Sequence, residues 1–376
     1  MRKINVGLSV QINDKNDSFW VNGIKQNAVT LRDMFELCPN VGNATLVNLG
    51  KLKDYKDTAW EEYQDKLVDF DTFVESGDVL ITATVSPNER MVEVLKSKNI
   101  PLIKHTMGNE LLNFQQAAVL GYKKDFNTFA RRENYKAVWI SPHLYEQNKG
   151  FLETVCDAPA SIGPYIWTPR FIEKHVERFV SRGEHVGFYE PLEKKERRIS
   201  VFEPNITLEK TSIHPMIAIE KFYQKHPDLV EFASCFGAEK LKNEKIFVEW
   251  ASTLDVAKNK KIFFEARYPI VWSLFKHTDI VLCHQDMLPL NYIYFDAAWL
   301  GYPVIHNAYM VKDLGFYYSK WDADKAADLL HTVATKFDSS YHKSYMKRSK
   351  KIIKKYFWNN PKNVDGYAKL LEDVLK

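Results

Sequence analysis

The feature that most constrains the fold of this chain is an alternation of short apolar runs with longer amphipathic runs. The short runs are rich in β-branched residues and have the length of strands, whereas the longer runs place apolar residues at helical spacing. Strands that alternate with helices form βαβ units, in which helices cover both faces of a parallel sheet. The sequence therefore predicts an α/β protein.

The alternation runs through the chain twice. The strands predicted in the first half are residues 4–10, 44–49, 78–85, 100–106, 137–141 and 165–167, separated by helices that include residues 24–36, 87–98 and 109–120. The strands predicted in the second half are residues 198–202, 229–235, 261–264, 279–283 and 303–306. Two such series predict two Rossmann-like, doubly wound domains that face each other across a cleft, with ligands bound at the carboxyl ends of the strands.

The predicted boundary between the domains lies within residues 183–198. This segment contains Gly187, Pro191 and six successive charged residues at 193–198, and it has few residues that suit a core. We therefore predict an N-terminal domain over residues 1–185 and a C-terminal domain over residues 198–350.

Composition sets the class of protein without naming an activity. A chain of 376 residues with 45% apolar and 27% charged residues is ordinary for a soluble globular protein of two domains. The formal charge of +4 is too small to indicate a nucleic-acid partner, and no apolar run is long enough to span a bilayer. The N-terminus enters a strand pattern, unlike a signal peptide, so we expect a cytoplasmic protein. The four scattered cysteines, Cys38, Cys156, Cys235 and Cys283, indicate reduced core residues and neither a zinc site nor disulfides.

Residues 279–307 carry the most specific motif of the chain. An apolar strand ends at a polar turn, a short helix begins near Leu290 and contains Asp296, and Gly301-Tyr302-Pro303 leads into the next strand. This order resembles the nucleotide-sugar half of GT-B glycosyltransferases, especially those of family 4. In that family the acidic residue at the position of Asp296 holds the ribose hydroxyls of the donor. A second acid, eight residues earlier, is replaced here by Leu288.

The resemblance extends to the segment that follows the strand at 198–202. Family 4 enzymes often place an Arg here and a Lys five residues later, and both contact the donor diphosphate. Lys210 matches that Lys and is followed by Thr211, whereas Asn205 stands at the Arg position. The resemblance implies that Lys210 stabilises a leaving group that gains negative charge. An ordinary solvated lysine is the alternative interpretation.

Further donor-binding residues are implied near two strand ends. Asn291 and Tyr292 lie at the predicted N-terminus of the helix that contains Asp296, where free N–H groups suit a phosphate. Arg267 follows the strand at 261–264, at a place where GT-B donor domains usually contact the nucleobase. A surface arginine is the alternative there.

The first half contains candidates for the sugar and acceptor side. The run that includes Trp20, Asn22 and Gly23 resembles a group of uncharacterised GT-B-like proteins of bacteria and chlorella viruses, as does the element that contains Asn109. His105 lies near the end of a predicted strand, where family 4 enzymes often place a histidine close to the donor sugar. A neutral imidazole there would bond a sugar hydroxyl, and a buried structural histidine is the alternative.

The resemblance implies a retaining hexosyltransferase that uses front-face displacement. The C-terminal domain would bind a nucleotide-sugar donor, with GDP-mannose favoured and UDP-glucose next, and the N-terminal domain would bind a glycan or glycoprotein acceptor. The helix over residues 355–376 would pack back on the N-terminal domain. No cofactor or metal is expected, because the Asp-x-Asp pairs that begin at Asp69 and Asp322 lie in a helical stretch and at a helix start.

Other functions stay open at this point. A GT-B sugar-nucleotide epimerase would use the same donor site without an acceptor, and a catalytically degenerate protein would only bind a glycan or nucleotide. A DNA glucosyltransferase is disfavoured by the nearly balanced charge. The sequence leaves the oligomeric state open, a homodimer included.

Overall fold

The computed structural model describes residues 2–20, 23–121, 135–191 and 193–376. Within these residues every pairing between neighbouring strands is parallel, and helices lie between the strands along the chain. The strands are β1 Ile4–Val10, β2 Val41–Asn48, β3 Leu67–Asp69, β4 Val79–Thr82, β5 Leu102–Thr106, β6 Ala137–Ile140, β7 Ala160–Ile162, β8 Arg197–Val201, β9 Val230–Phe236, β10 Ile262–Glu265, β11 Ile280–Leu282, β12 Val304–His306 and β13 Phe316–Tyr317.

The helices alternate with these strands as the sequence predicts. Several begin at Asn or Asp side chains that accept a hydrogen bond from the first turn, as at Asn88, Asn109 and Asp322. The helices are α1 Gly23–Phe35, α2 Phe70–Phe73, α3 Glu89–Ser97, α4 Glu110–Leu120, α5 Tyr145–Cys156, α6 Arg170–Ser181, α7 Ile213–Lys225, α8 Lys245–Ala251, α9 Asp255–Lys258, α10 Ile270–His277, α11 Tyr292–Trp299, α12 Ala323–Lys336, α13 Ser339–Ile353 and α14 Pro361–Leu375.

The strands form two sheets, so the predicted fold class is confirmed. The first has the order β3-β2-β1-β4-β5-β6-β7, and the second has the order β10-β9-β8-β11-β12-β13. Every residue of the central strands β4 and β11 is buried. Such strands are apolar throughout because helices cover both of their faces.

The chain divides into two compact units. One contains Met1–Thr168 and Tyr356–Lys376, and the other contains Pro169–Lys355. This division lies earlier than the segment 183–198 that the sequence predicts. The reason is α6, which belongs to the second unit, where Glu173 accepts a hydrogen bond from the indole of Trp299 at 2.9 Å. Glycine, proline and charge in residues 183–191 and 193–196 mark a largely exposed connection between α6 and β8 within that unit.

Two predictions for the first sheet and its surroundings are wrong, and one strand was missed. Residues 165–167 do not form a strand, since Trp167 makes only an isolated bridge to Phe357, and the edge strand is β7 instead. Strand β3 was not predicted. Asp69 does not lie in an amphipathic helix; it ends β3 and caps α2 by accepting a hydrogen bond from the Thr72 amide. Edge strands of two or three residues, such as β3 and β13, are too short to show a period of two.

The C-terminal helix α14 belongs to the first unit. It begins at Pro361, after Asn360 has capped it by accepting a hydrogen bond from the Lys362 amide. Its Tyr367 is fully buried, with the ring packed against Trp139 and Phe35. Of the helices in the described part of the chain, none combines the length and the apolarity that crossing a bilayer requires.

Candidate functional site

The donor-side residues predicted from the sequence meet at the carboxyl edge of the second sheet. Strands β8 and β11 are adjacent and parallel, with Ile280 paired to Ile199, so the segments that follow them lie side by side. Strand β10 ends at the same edge. The residues brought together there are Asn205, Lys210 and Thr211 after β8, Arg267 after β10, and Asn291, Tyr292 and Asp296 after β11.

A chain of hydrogen bonds links the end of β8 to the start of α11. The fully buried Glu203 carboxylate accepts hydrogen bonds from the His284 amide at 3.2 Å and from the Gln285 side chain at 3.0 Å. The Gln285 amide oxygen in turn accepts one from Asn291 at 2.9 Å. Asn291 caps α11, since its side-chain oxygen accepts from the Ile293 amide at 3.2 Å. The three linked side chains, Glu203, Gln285 and Asn291, are called the relay below.

The relay is anchored from the next strand. Asn307, just after β12, accepts a hydrogen bond from the Gln285 amide and donates one to the Gln285 carbonyl, both at 3.1 Å. Sequence patterns did not identify Glu203, Gln285 or Asn307 as site residues. Each is a polar residue shortly after an apolar strand, and that position in three neighbouring strands is the signal that would have found them.

Asn205, which stands where family 4 glycosyltransferases often have an arginine, has a structural task. Its backbone is left-handed, with φ of 53°, a conformation in which Asn is enriched. Its side-chain amide donates to the Glu203 carbonyl at 2.7 Å and to the Ser212 hydroxyl at 3.0 Å, and its oxygen accepts from the Ser212 amide at 2.8 Å. Asn205 therefore shapes the loop that carries Lys210, whose carbonyl accepts from the Asn205 amide at 3.0 Å.

Lys210 and Arg267 form a pair of neighbouring cations at this edge. Neither makes an ion pair with an acidic side chain within the described residues. Burial, helped by the nearby Arg267, lowers the pKa of Lys210, while Glu203 and Glu209 act in the opposite direction. Arg267 is exposed, and its side chain lies over Gly237, where an added Cβ would be 3.5 Å from the Arg267 Cγ. Two cations on one edge suit an anion with several oxygens.

Burial also raises the pKa of Glu203, whose charge acts on Lys210, although Lys210 opposes the shift. A buried carboxyl group with a raised pKa offers Lys210 less compensating charge than an exposed one would. Glu203 therefore neutralises the cation pair only in part.

The remaining donor-side residues line the two helix starts. Tyr292 is the first residue of α11, and Asp296, one turn further, lies on the same face of the helix. Both are half-buried. Asp296 is the fifth residue of α11 and therefore lies in its second turn. Thr211 is half-buried and immediately precedes Ser212, the residue just before α7.

The predicted residues of the first unit are engaged in packing and capping. His105 lies in the interior, where its Nε2 is 3.0 Å from the Tyr367 hydroxyl and burial lowers its pKa to about 4. Asn109 caps α4 and contacts Gln147 at 2.7 Å. The Trp20 ring packs on Phe19 at 4.7 Å. These positions favour the structural interpretation of His105 and Asn109. Gly23 is the exposed first residue of α1, and Asn22 lies outside the described residues.

Replacing Gln285 with alanine is expected to lower the free energy of unfolding by about 1–3 kcal/mol, because the buried Glu203 carboxylate loses one of its two donors. Urea unfolding would measure the change. Gln224→Ala is the matched control, since Gln224 makes the same amide–carboxylate bond to Glu220 from an exposed position. A change below about 0.5 kcal/mol is expected there. Equal losses in the two variants would show that the relay is not what holds Glu203.

Comparison with known proteins identifies a family and a fold. Residues 6–371 match the profile of a family described as "Protein of unknown function (DUF2827)". No curated protein sequence shows significant similarity to the chain. Similar solved structures include a glycosyltransferase from Rickettsia africae ESF-5, with a TM-score of 0.55, 12% identity and 100% of both chains covered. They also include sucrose-phosphate synthase from Thermosynechococcus elongatus, with a TM-score of 0.58, 10% identity and 99% of each chain covered.

Another similar structure is HepE from Anabaena in complex with UDP-glucose, with a TM-score of 0.53, 11% identity, and coverage of 98% of this chain and 100% of that one. At such identities the similarity establishes the shared fold, which is of the GT-B type that the sequence predicts. Since the family profile covers nearly the whole sequence, the chain belongs to the DUF2827 family.

Proposed function

We propose that the chain is a glycosyltransferase whose second unit binds a nucleoside-diphosphate sugar. The observation that carries this proposal is the cation pair Lys210 and Arg267 beside the capped start of α11, at the carboxyl edge of a parallel sheet. A diphosphate suits this edge, because two side-chain cations and the positive end of a helix dipole all favour negative charge. The proteins of similar fold that were solved with ligands include HepE with UDP-glucose and the pneumococcal transferase GtfA with UDP and GlcNAc.

The proposed mechanism uses the protein's own charges. As the bond between the sugar and the diphosphate breaks, negative charge grows on the leaving phosphate, and Lys210 and Arg267 stabilise it in place. The departing phosphate oxygen takes the proton of the acceptor hydroxyl, so the new bond forms on the same face and the configuration is retained. We expect no requirement for a divalent metal, because lysine and arginine supply the positive charge. Asp296 holds the ribose, whose two hydroxyls both donate to its carboxylate.

The proposed reaction needs a sugar donor and an acceptor. UDP-glucose and GDP-mannose are the donors to compare first, and the UDP complexes of similar folds now favour UDP. A glycan is the proposed acceptor, with the first unit as its site. The runner-up function is a protein that binds nucleotide or glycan without turnover, which the buried Leu288 at the position of the family's second acid favours.

Calorimetric titration with UDP-, GDP- and dTDP-sugars, with and without added metal, tests this proposal. Asp296→Ala is expected to weaken binding of the preferred donor by about 10- to 100-fold, the loss of two hydrogen bonds to a charged acceptor. Asp328→Ala, which alters an exposed helical carboxylate on α12, should leave the affinity unchanged. Binding without transfer to any glycan would favour the runner-up. No binding of any nucleotide sugar would overturn the donor site.

A further inference from the structure

Two buried imidazoles lie against each other at the same edge of the second sheet. The rings of His214, near the start of α7, and His284, just after β11, have centroids 3.9 Å apart. Only 5% of His214 and 3% of His284 is exposed. Trp321, which follows β13 and is 57% exposed, packs on both rings, with centroid distances of 4.4 Å to His284 and 5.3 Å to His214. We call His214 and His284 the imidazole pair.

The hydrogen bonds of Tyr318 determine which ring nitrogen of neutral His284 carries the proton. The Tyr318 hydroxyl donates to the Cys283 carbonyl at 2.9 Å, so its single proton is committed there. The same oxygen lies 3.0 Å from the His284 Nδ1 and therefore accepts a hydrogen bond from the N–H at that nitrogen. Neutral His284 then carries its proton on Nδ1 and presents a lone pair on Nε2.

Both outer nitrogens of the imidazole pair lack a partner. Neither the His284 Nε2 nor the His214 Nε2 has a hydrogen-bond partner among the residues that the structure describes, although both atoms are buried. Buried polar atoms in native proteins are usually paired, and two unpaired nitrogens on adjoining rings under one exposed indole favour a further group that completes them. Because the His284 Nε2 is an acceptor, that group must be a hydrogen-bond donor, and this excludes a phosphate oxygen.

The charge of the imidazole pair further limits the class of ligand that can bind there. Burial lowers the pKa of His284 to about 3, and it lowers the pKa of His214 as well, although the Asp322 carboxylate opposes the latter shift. The pair is therefore neutral near pH 7 and has no electrostatic attraction for an anion. A neutral acceptor beneath an exposed indole matches the surface of a sugar, which has hydroxyl donors and an apolar C–H face.

We propose that the imidazole pair and Trp321 form the subsite for the hexose of the donor, with the His284 Nε2 accepting a hydrogen bond from a sugar hydroxyl. This inference rests on the proposed function and names the part of the second unit that recognises the sugar of the donor. His284 lies close to the proposed diphosphate site, as the sugar subsite requires. Its backbone amide donates a hydrogen bond to Glu203, and the side chain of the next residue, Gln285, accepts one from Asn291. The Trp321 indole tilts away from the pair when the sugar enters and then covers its C–H face.

The test compares calorimetric affinities for UDP, UDP-glucose, GDP and GDP-mannose in four variants. His284→Phe keeps a ring and removes the acceptor, Trp321→Ala removes the indole, and Trp321→Phe keeps an aromatic face. The matched control is His226→Phe, because His226 stacks on His331 at 4.2 Å in a second imidazole pair at the other end of α7. Thermal unfolding of each variant shows that it is folded.

In the unaltered protein one sugar nucleotide is expected to bind at least about 10-fold more tightly than its bare diphosphate, the increment of one good hydrogen bond. His284→Phe and Trp321→Ala should bring that ratio close to one while the affinity for bare UDP or GDP stays the same. Trp321→Phe should keep most of the increment, and His226→Phe should keep all of it.

Three results would overturn the inference. An unchanged ratio in His284→Phe and Trp321→Ala would do so while the donor site itself stands, since bare UDP or GDP would still bind. Zn²⁺ binding that His284→Phe abolishes, with the ratio for sugars unaffected, would identify the pair as a metal site. Binding of neither bare diphosphate nor sugar nucleotide would remove the proposed function and this subsite with it.

Discussion

Replacing Lys210 with alanine is expected to lower kcat/KM for sugar transfer by about 100-fold, which is ~2.7 kcal/mol of lost transition-state stabilisation. Lys210 makes no ion pair within the described residues, since Glu203 and Glu209 act on it only from beyond ion-pair distance. Its charge, next to that of Arg267, is therefore available to the leaving diphosphate. That charge grows as the bond breaks, so kcat should fall more than KM rises. Lys336→Ala, which removes an exposed lysine from the last turn of α12, is the control and should change neither constant.

The pH dependence of the same reaction gives a second readout of Lys210. Burial and Arg267 lower its pKa, so the ammonium loses its proton at a lower pH than that of an ordinary lysine. The charged form is the active one, so kcat/KM should decline as pH rises through this lowered pKa. In Lys210→Arg the side chain stays charged over the whole range, and the alkaline decline should vanish whatever the remaining activity. Unchanged kinetics in Lys210→Ala, or the same decline in Lys210→Arg, would remove Lys210 from the mechanism.

The fold was predictable where the sequence pattern is local. Strands such as β4 and β11 lie in recognisable apolar runs, and helix starts such as Asn291 and Asp322 carry capping residues whose effect stays within one turn. The boundary between the two units could not be predicted in this way. The composition of residues 183–198 indicates that the segment is exposed to solvent, and an exposed segment need not separate two units. Which core a helix such as α6 joins depends on contacts like that between Glu173 and Trp299, which are 126 residues apart.

The residues of the candidate site also divide into those that a local motif predicts and those that it does not. Lys210, Asn291 and Asp296 could be predicted as site residues because each stands in a motif with fixed local spacing. The relay was not found, because Glu203 and Gln285 are 82 residues apart and nothing in either segment indicates the other. Asn205 illustrates a third case. From sequence alone, Asn205 in place of the arginine that family 4 enzymes often have suggests a weakened site. In the structure, Asn205 makes a left-handed turn and accepts a hydrogen bond from the Ser212 amide, so it supports the loop that carries Lys210.

His105 is the residue on which sequence and structure differ most. A histidine near the end of a strand has the same local sequence whether the strand end is open or covered. Here α14 covers it, and the contact with Tyr367 joins residues that are 262 positions apart. The His105 Nδ1 is buried without a hydrogen-bond partner in the described part of the chain, so the imidazole is held mainly by packing and by the Tyr367 hydroxyl.

Tyr367→Ala is therefore expected to lower the free energy of unfolding of the first unit by about 3–5 kcal/mol, the usual loss for a buried aromatic residue. Its ring packs on Phe35 and Trp139 and its hydroxyl contacts His105 at 3.0 Å and the Pro164 carbonyl at 2.9 Å, so a cavity and unpaired polar atoms result. Urea unfolding measures the loss. Tyr309→Ala is the control, since Tyr309 is 61% exposed and should change stability by less than about 1 kcal/mol.

Tyr367→Phe separates packing from chemistry at His105. It keeps the ring and removes only the hydroxyl, so stability should fall by about 1–2 kcal/mol. If His105 supports α14 and takes no part in catalysis, kcat/KM should stay within about twofold of the unaltered value under conditions where the variant is folded. A loss above about 10-fold with the folded state intact would instead return His105 to the sugar side of the reaction, because the hydroxyl would then be orienting an imidazole that contacts substrate.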